Sequence, residues 1–371
     1  MTEITTDRNP FAQLVDLTAN GNVLFATDDF FQVAETLILK QDPVWDEKKF
    51  TPFGKWMDGW ETRRKRTEGH DWSIIKLGLS GTISGLHIDT AFFTGNQTPR
   101  ISIQAACLEK DLALCRRSEM GSCATNEETK AADSIQTHLW EEILPMVALR
   151  PGYPGERHHY FGVTSAKRIN YFPDGGVARL RAYGTVVKDW SRTSKTELVD
   201  LIALENGGTP VSSSNSHYGT PFNLISKPES EGMYDGWETA RNPKRPPIFQ
   251  KGKDGLLIIP GAEWVIFRVG VPDGGFAKSV MVDTAFFRGN YPESILVEAC
   301  QNPGNASLEG AVWTPLVPRT RVKADSKHEF VVHPSIQQRC ITHVRLTVFP
   351  DGGVARLRVY GTVVASSLSN L

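Results

Sequence analysis

Acidic side chains and arginines gather in two short stretches of this sequence, and the second stretch echoes the first. Asp58 and Glu61 lie three residues apart in a glycine-containing loop, and Asp235 and Glu238 reproduce the spacing. Both carboxylates of such a pair can face one pocket, where they accept hydrogen bonds when ionised and where either can move a proton. The competing reading has the aspartate tie down its own turn and leaves the glutamate on the surface. Arg63 and Arg64 follow at once, and a guanidinium fork donates two parallel hydrogen bonds to an anion such as a carboxylate. Lys65 and Arg66 extend the run, but Glu68 and Asp71 come straight after. That pattern suits a solvated loop or a small-anion site better than a phosphate-binding patch. His70, beside Asp71, is the first histidine to test as acid or base, since an unperturbed imidazole titrates near neutrality; a loop histidine can equally be only solvated.

In the second stretch the arginine pair reads Ala240-Arg241, and Ala262 and Glu263 stand where His70 and Asp71 do. Further along, Asp89 and Asp283 sit on otherwise apolar strands. A buried carboxylate needs partners, so each either caps the threonine-containing bend that follows or faces a ligand. Arg179 and Arg181, with Arg356 and Arg358, share a strand face opposite small apolar residues. That face is solvent, an inter-domain contact or a pocket rim, and the repetition of two arginines with a tyrosine favours contact or rim. His159 and His328 occur in both stretches, which suits a structural hydrogen bond as well as a functional one. His87, His158 and His333 have no placed counterpart. No H-x-x-E-H or H-E-x-x-H string and no close His/Asp cluster is present, so the sequence requires no cofactor and leaves a divalent metal open.

Forty-one basic residues against 42 acidic ones, a net charge of −1, give no electrostatic footprint for nucleic acid or an anionic membrane. Cys107, Cys115, Cys123, Cys300 and Cys340 form an odd set without a C-x-x-C pair, against a disulfide framework or a structural zinc site. Met1 to Pro10 lacks an apolar signal core, and no apolar run has membrane-spanning length. The expectation is a reduced compartment, the cytoplasm.

The elements that must position these residues are duplicated. Phe172-Pro173-Asp174-Gly175-Gly176-Val177-Ala178-Arg179-Leu180-Arg181 returns unchanged as Phe349 to Arg358, Asp58-Gly59-Trp60-Glu61-Thr62 as Asp235 to Thr239, and Asp89-Thr90-Ala91-Phe92-Phe93 as Asp283 to Phe287. Weaker echoes keep the same order. The spacing between blocks is uneven, so the second copy carries an insertion between Glu238 and Trp264 and the first a compensating one between Cys107 and Phe172. Such insertions mark surface loops. Each copy is domain-sized, giving domains 1–190 and 191–371 with the boundary in the polar stretch Lys188 to Thr196.

Period-two alternation in several blocks predicts strands. In Val177 to Tyr183, Ala178, Leu180 and Ala182 share one face while Arg179, Arg181 and Tyr183 share the other. Pro-Asp-Gly-Gly reads as a hairpin turn joining Lys167–Phe172 to Val177–Val187, and His343–Phe349 to Val354–Val364. Trp60 and Trp237 read as core plugs more than substrate platforms. Short helices are expected in Asp29–Lys40, Lys130–Leu144 and around Leu198. Many short strands between Gly/Pro turns argue for an all-β fold, two tandem jelly-roll β-sandwiches of about eight strands each. The order of blocks is similar to that of galactose-binding-like domains.

The combined pattern resembles the allantoicase family. It rests on Ala26-Thr27-Asp28-Asp29-Phe30-Phe31, Gly54 to Arg64, Gly69-His70-Asp71-Trp72, Asp89 to Asn96 and both Phe-Pro-Asp-Gly-Gly-Val-Ala-Arg-Leu-Arg strings, over about Leu14 to Val364. The resemblance implies two allantoicase repeats, hydrolysis of allantoate to ureidoglycolate and urea in purine and allantoin degradation, and a homo-oligomer. It also brings in the Ca²⁺ that galactose-binding-like domains often hold near the DG loop, which Asp58 or Asp235 could join. Allantoate carries one carboxylate and two ureido arms on a single carbon. For that substrate Asp58, Glu61, His70 and Asp89 are the catalytic candidates. Arg63 and Arg64 form the carboxylate clamp, with Arg241 retained in the second copy. Asp71, Arg179, Arg181, Asp235, Glu238, Asp283, His159 and His328 are candidate substrate contacts. The first copy holds the denser polar set, so its loops are expected to dominate, completed by the second copy or a neighbouring subunit. The alternative is a non-catalytic pair of carbohydrate- or ligand-binding jelly rolls, since one fold hosts many functions.

Overall fold

Strands form over the alternating blocks, from His343 as expected but from Arg179 and Arg356 rather than Val177 and Val354, and they assemble twice into the same pair of sheets. The computed structural model describes every residue except 1, 2, 7, 109, 115, 117, 164–168, 303–306 and 365–371, and gives only the backbone of 169–172 and of 192. Cys115, and the Lys167 start of one expected strand, therefore lie outside the described residues. The chain divides into two units, Met1–Val186 and Val187–Leu371, just ahead of the polar stretch.

In the first unit a four-stranded sheet runs in the order Val15–Asp16, Arg179–Val186, Gly81–Asp89, His158–Gly162. A five-stranded sheet runs Asn22–Ala26, Asp71–Lys76, Ile169–Phe172, Arg100–Ala105, Glu141–Ala148. The second unit repeats both orders with Val199–Asp200, Arg356–Val363, Gly275–Asp283, Lys327–Val331 and with Thr209–Ser213, Glu263–Arg268, His343–Phe349, Ser294–Cys300, Thr314–Arg321. All these pairings are antiparallel. Each unit is a jelly-roll sandwich. Leu86, Ile88, Leu180 and Ala182 from one sheet and Ile74, Ile101, Ile103 and Leu144 from the other are buried in the first core. Trp60 and Trp237 are fully buried, and each indole N–H donates to a main-chain carbonyl, that of Asp28 at 2.7 Å and that of Asn215 at 2.9 Å.

The strands flanking Phe-Pro-Asp-Gly-Gly do not form the expected hairpin. Ile169–Phe172 lies in the five-stranded sheet between Asp71–Lys76 and Arg100–Ala105, whereas Arg179–Val186 lies in the four-stranded sheet against Gly81–Asp89. His343–Phe349 and Arg356–Val363 are parted in the same way. The turn is a crossover between sheets. Its short strand Gly176–Val177 pairs with Trp60–Glu61, and Gly353–Val354 with Trp237–Glu238, so the hydrogen bonds a hairpin would use go elsewhere. Gly175 and Gly352 have φ of +127° and +129°, a region open to glycine. A Cβ on Gly176 would stand 2.0 Å from the Phe93 ring, and one on Gly353 1.9 Å from that of Phe287.

Helix is scarcer and placed differently than expected. Asp29–Lys40 holds only a 3-10 turn, Ala34–Ile38. The α-helix is Asn126–Asp133, opened by a capping box between Thr125 and Glu128, and Lys130–Leu144 runs on into the strand Glu141–Ala148. Around Leu198 the chain forms the strand Val199–Asp200 and a 3-10 turn, Leu204–Asn206. The first-copy insertion thus contains the helix. Within the second-copy insertion the main chain folds back between Gln250 and Ile258 (Ile258 N–H to Gln250 O, 2.8 Å).

Candidate active site

The crossover turn fixes the loops that carry the candidate residues, mostly through main-chain atoms. In the first unit the Asp174 carboxylate accepts from the Lys65 N–H at 2.8 Å, and Gly175 N–H donates to the Thr62 hydroxyl at 3.1 Å. Gly176 is registered on Glu61, Ala178 N–H donates to the Asp89 carbonyl at 2.8 Å, and Arg179 reaches Asp58. The second unit repeats every one of these bonds, with Asp351 to Asn242, Gly352 to Thr239, Gly353 to Glu238, Ala355 to Asp283 and Arg356 to Asp235. The repeated decapeptide is therefore the frame of a site.

Asp58 and Asp235 belong to that frame. Asp58 Oδ2 accepts from Arg179 at 2.9 Å and from Val44 N–H at 2.8 Å, and Asp235 Oδ2 from Arg356 at 2.6 Å. Arg179 also donates to the carbonyls of Gln41, Asp58 and Ala178, and Arg181 to those of Leu37, Leu39 and Lys40. Arg356 and Arg358 do the same with Pro228 and Asp235 and with Leu224, Ser226 and Lys227. The rim expectation for Arg179 and Arg181 gives way here. Both faces of their strand are covered, and the guanidiniums are buried against carbonyls of their own unit. A Ca²⁺ at Asp58 or Asp235 would have to share its carboxylate with a buried guanidinium, which repels it.

Glu61 is buried rather than on the surface. One carboxylate oxygen accepts from the Asn96 amide at 2.6 Å. Burial dominates and lifts its pKa from 4.5 to about 7, with the Asn96 hydrogen bond opposing. A carboxyl poised there can give and take a proton at neutral pH. Glu238 has the matching bond from Asn290 at 2.7 Å but is only half-buried.

The loop after Glu61 separates the expected clamp into two parts. Arg63 pairs with Asp28 (2.6 Å) and lies 5.0 Å from the Phe30 ring. Arg64 is exposed, and among the described residues it makes no hydrogen bond or ion pair. Lys65 pairs with Asp71 at 2.7 Å, and Asp71 also accepts from the Thr27 hydroxyl at 2.9 Å. Asp71 is thus a buried brace, next to the half-buried His70. Cys123, which interacts with Arg63, helps line a small cleft with Phe25, Ala26, Asp29 and Arg116. Asp29, lifted by burial to about 6 against the pull of Arg116, and Arg116 itself, held also by Glu35, were not legible as a pair from the sequence. Arg241, in the second unit, is exposed like Arg64.

Asp89 and Asp283 each cap the following bend, accepting from Ala91 and Ala285 N–H at 2.8 Å. The second oxygen of Asp89 accepts from Arg157 at 2.8 Å. His159 and His328 do structural work. Each takes a main-chain N–H on Nε2, from Arg150 at 3.3 Å and from Lys323 at 2.9 Å, and burial holds His159 down to about 4. His87 and His158, without a counterpart in the second copy, meet through their ring nitrogens at 2.9 Å beside Asp89. The i, i+2 spacing of His87 and Asp89 on one strand is a signal for that pair alone, and His158 joins them through strand register. Among the described residues these three form the only group of His, Cys, Asp or Glu with donor atoms close enough to share an ion.

With this geometry in place, comparison with known proteins is direct. The allantoicase repeat model matches residues 12–187 and 199–364. A probable allantoicase of Pseudomonas savastanoi pv. phaseolicola is 39% identical over 362 residues, 95% of this chain and 96% of that one. One of Photobacterium profundum is 37% identical over 360 residues, 95% of this chain and 96% of that one. A crystal structure of allantoicase from Saccharomyces cerevisiae, 31% identical, covers 94% of this chain and 92% of its own with a TM-score of 0.68. Two repeats, one to each jelly roll, and matches that span nearly the whole chain place this protein in the allantoicase family.

Proposed function

We propose that this chain hydrolyses allantoate to ureidoglycolate and urea, and that the loops of the first repeat carry the chemistry. Family membership over the full length supports the reaction. The observation that carries the choice of repeat is Glu61, a buried carboxyl near pKa 7 two residues from the Arg63-Arg64 pair. In the reaction a water oxygen bonds to the central carbon of allantoate, the bond from that carbon to one ureido nitrogen breaks, and the departing nitrogen takes a proton. Glu61 is the proton carrier, with His70 as the second candidate. Arg64 grips the substrate carboxylate through its fork, and Arg241 makes the lesser, second-repeat contact. Arg63, Asp71, Asp58 and Arg179 are positioning residues, held in the bonds described above, and so are Arg181, Asp235 and Asp283. Glu238, His159 and His328 support the frame. The protein acts as a homo-oligomer in the cytoplasm, a reading supported by the family resemblance.

Purified protein incubated with allantoate should release urea and ureidoglycolate in equal amounts. No product above the blank, with and without added divalent metals, overturns the assignment.

A further inference from the structure

We infer that His87, Asp89 and His158 form a site for one divalent transition-metal ion in the first unit. The sheet builds it. Residues two apart on a strand share a face, so His87 and Asp89 project together from Gly81–Asp89. On the neighbouring strand His158 is registered opposite Asp89 and Tyr160 opposite His87, which brings the His158 ring to the same face. His87 Nε2 lies 2.9 Å from His158 Nδ1, Asp89 Oδ2 lies 3.9 Å from that same Nδ1, and the three donor atoms fall within 4.8 Å of one another. An ion bonded to nitrogen and oxygen at about 2.0–2.2 Å needs ligand atoms roughly 3–3.5 Å apart, so small side-chain rotations close the set. Two ring nitrogens this close cannot both carry a proton, and at least one lone pair is directed into the gap.

The donor set names the class of ion. Two imidazoles and one carboxylate suit zinc and its first-row neighbours, whereas Ca²⁺ and Mg²⁺ take mainly oxygen. Asp89 Oδ1 is fixed by Ala91 N–H, which aims Oδ2 at the histidines. The His158 side chain keeps 39% of its exposure, which leaves a side open for water or a ligand. Arg157 is the competitor, since it holds Oδ2 at 2.8 Å, and the ion must share that oxygen or displace it. Arg157 Nε is buried without a hydrogen-bond partner, so this guanidinium is the less firmly anchored of the two beside the cluster. Arg181, the other, is bound to carbonyls.

The second unit supplies an internal control. Its strand pairs Met281 with Arg358 and Asp283 with Arg356, as the first pairs His87 with Arg181 and Asp89 with Arg179. Across the other edge Asp283 faces Lys327 where Asp89 faces His158. The frame and the aspartate persist while both imidazoles are gone. If the hydrolase reading above holds, an ion here would polarise water or a ureido carbonyl. Asp89 is registered on Arg179, three residues beyond the Gly176 that pairs with Glu61.

The test uses the full chain, stripped with a chelator and titrated with Zn²⁺, Mn²⁺ and Co²⁺ by equilibrium dialysis with elemental analysis, with visible absorption reading the Co²⁺ complex. One ion per chain is expected. The double variant His87→Met, His158→Lys, which writes the second unit's residues into the first, should weaken binding roughly a hundredfold or more and abolish the Co²⁺ bands. Should it not fold, as judged by circular dichroism, His158→Lys alone decides by the same measures. Wild-type protein that takes up less than half an ion per chain at about 100 μM free metal, or a folded variant that binds as wild type does, overturns the site. Urea release scored in parallel keeps the two proposals apart. Binding without hydrolysis keeps the site and removes the function, and hydrolysis without binding does the reverse.

Discussion

The two repeats keep the same hydrogen bonds and change the charges that make them. Arg179 on Asp58 (2.9 Å) matches Arg356 on Asp235 (2.6 Å), buried in both units. Around the candidate loop the chemistry diverges. Where the first repeat pairs Lys65 with Asp71 at 2.7 Å, the second pairs the Asn242 amide with Glu263 at 2.8 Å. The Asp28 side chain accepts from Arg63 N–H at 3.3 Å and binds its guanidinium, while Asn215 accepts from Ala240 N–H at 2.9 Å and has no guanidinium to bind. In the same register Met281 and Lys327 occupy the second unit's positions that correspond to His87 and His158. Bonds that hold backbone keep their geometry in both units, while the charged partners differ: the second unit has a neutral amide at Asn242 and adds the Arg245–Asp351 pair at 3.1 Å. The difference teaches which polar residues serve folding and which are free for chemistry.

That comparison can be broken most sharply at the glutamates. Glu61→Gln should lower kcat by about 10²–10⁴-fold, the usual worth of a placed proton carrier, while Glu238→Gln leaves it within about twofold. Equal losses would show that both repeats do chemistry. Next come the buried arginines. Arg179→Met strands the Asp58 carboxylate and should cost about 3–5 kcal/mol of unfolding free energy, and Arg356→Met the same within error. Urea denaturation of the two variants checks this, and a marked inequality would mean that the frame is not equivalent in the two units.

A third effect tests the environment of Glu61 through stability. Its folded-state pKa of about 7 stands above the ordinary 4.5, so between those values the folded protein binds more protons than the unfolded chain. The associated stability is fully present below about pH 4.5 and is lost as pH rises through 7, on the order of 3 kcal/mol in all. Glu61→Gln should remove that decline. Asp29, lifted to about 6, contributes in the same sense, so the measured quantity is the difference between wild type and variant at pH 5 and pH 8. An identical decline in both would place Glu61 in water. The smallest expected effect is in binding. Arg64→Ala should raise KM about 10–100-fold, the loss of a charged hydrogen bond, with kcat much less affected, and Arg241→Ala should change KM by no more than about twofold. Steady-state kinetics on allantoate distinguishes the two.

Much of this was legible in the sequence because duplication exposes what is kept. The repeat, the sandwich class and the buried tryptophans follow from pattern and elementary chemistry, whereas for Asp89 and Asp283 the sequence leaves a cap and a ligand contact as equal alternatives. The crossover looks like a hairpin in the sequence, since two alternating strands around Pro-Asp-Gly-Gly look alike whether they pair with each other or with different sheets. Alternation told which face Arg179 and Arg181 share, but not that the Leu37–Gln41 segment covers it. The Thr-x-x-Glu spacing of Thr125 and Glu128 marks the start of the helix, a signal that the expectation of a helix in Lys130–Leu144 does not use. The His87–His158 contact depends on the register of two strands distant in the chain, and no local spacing encodes that.

The crossover turn has a consequence for how such a protein changes over time. Because it grips its neighbouring loops largely through peptide groups, side chains outside the Thr62 and Asp58 positions can change with the grip intact, and one half can differ in its reactive groups without losing its shape. The glycines are the exception. A single added methyl at Gly176 meets the Phe93 ring, so that position is closed to drift.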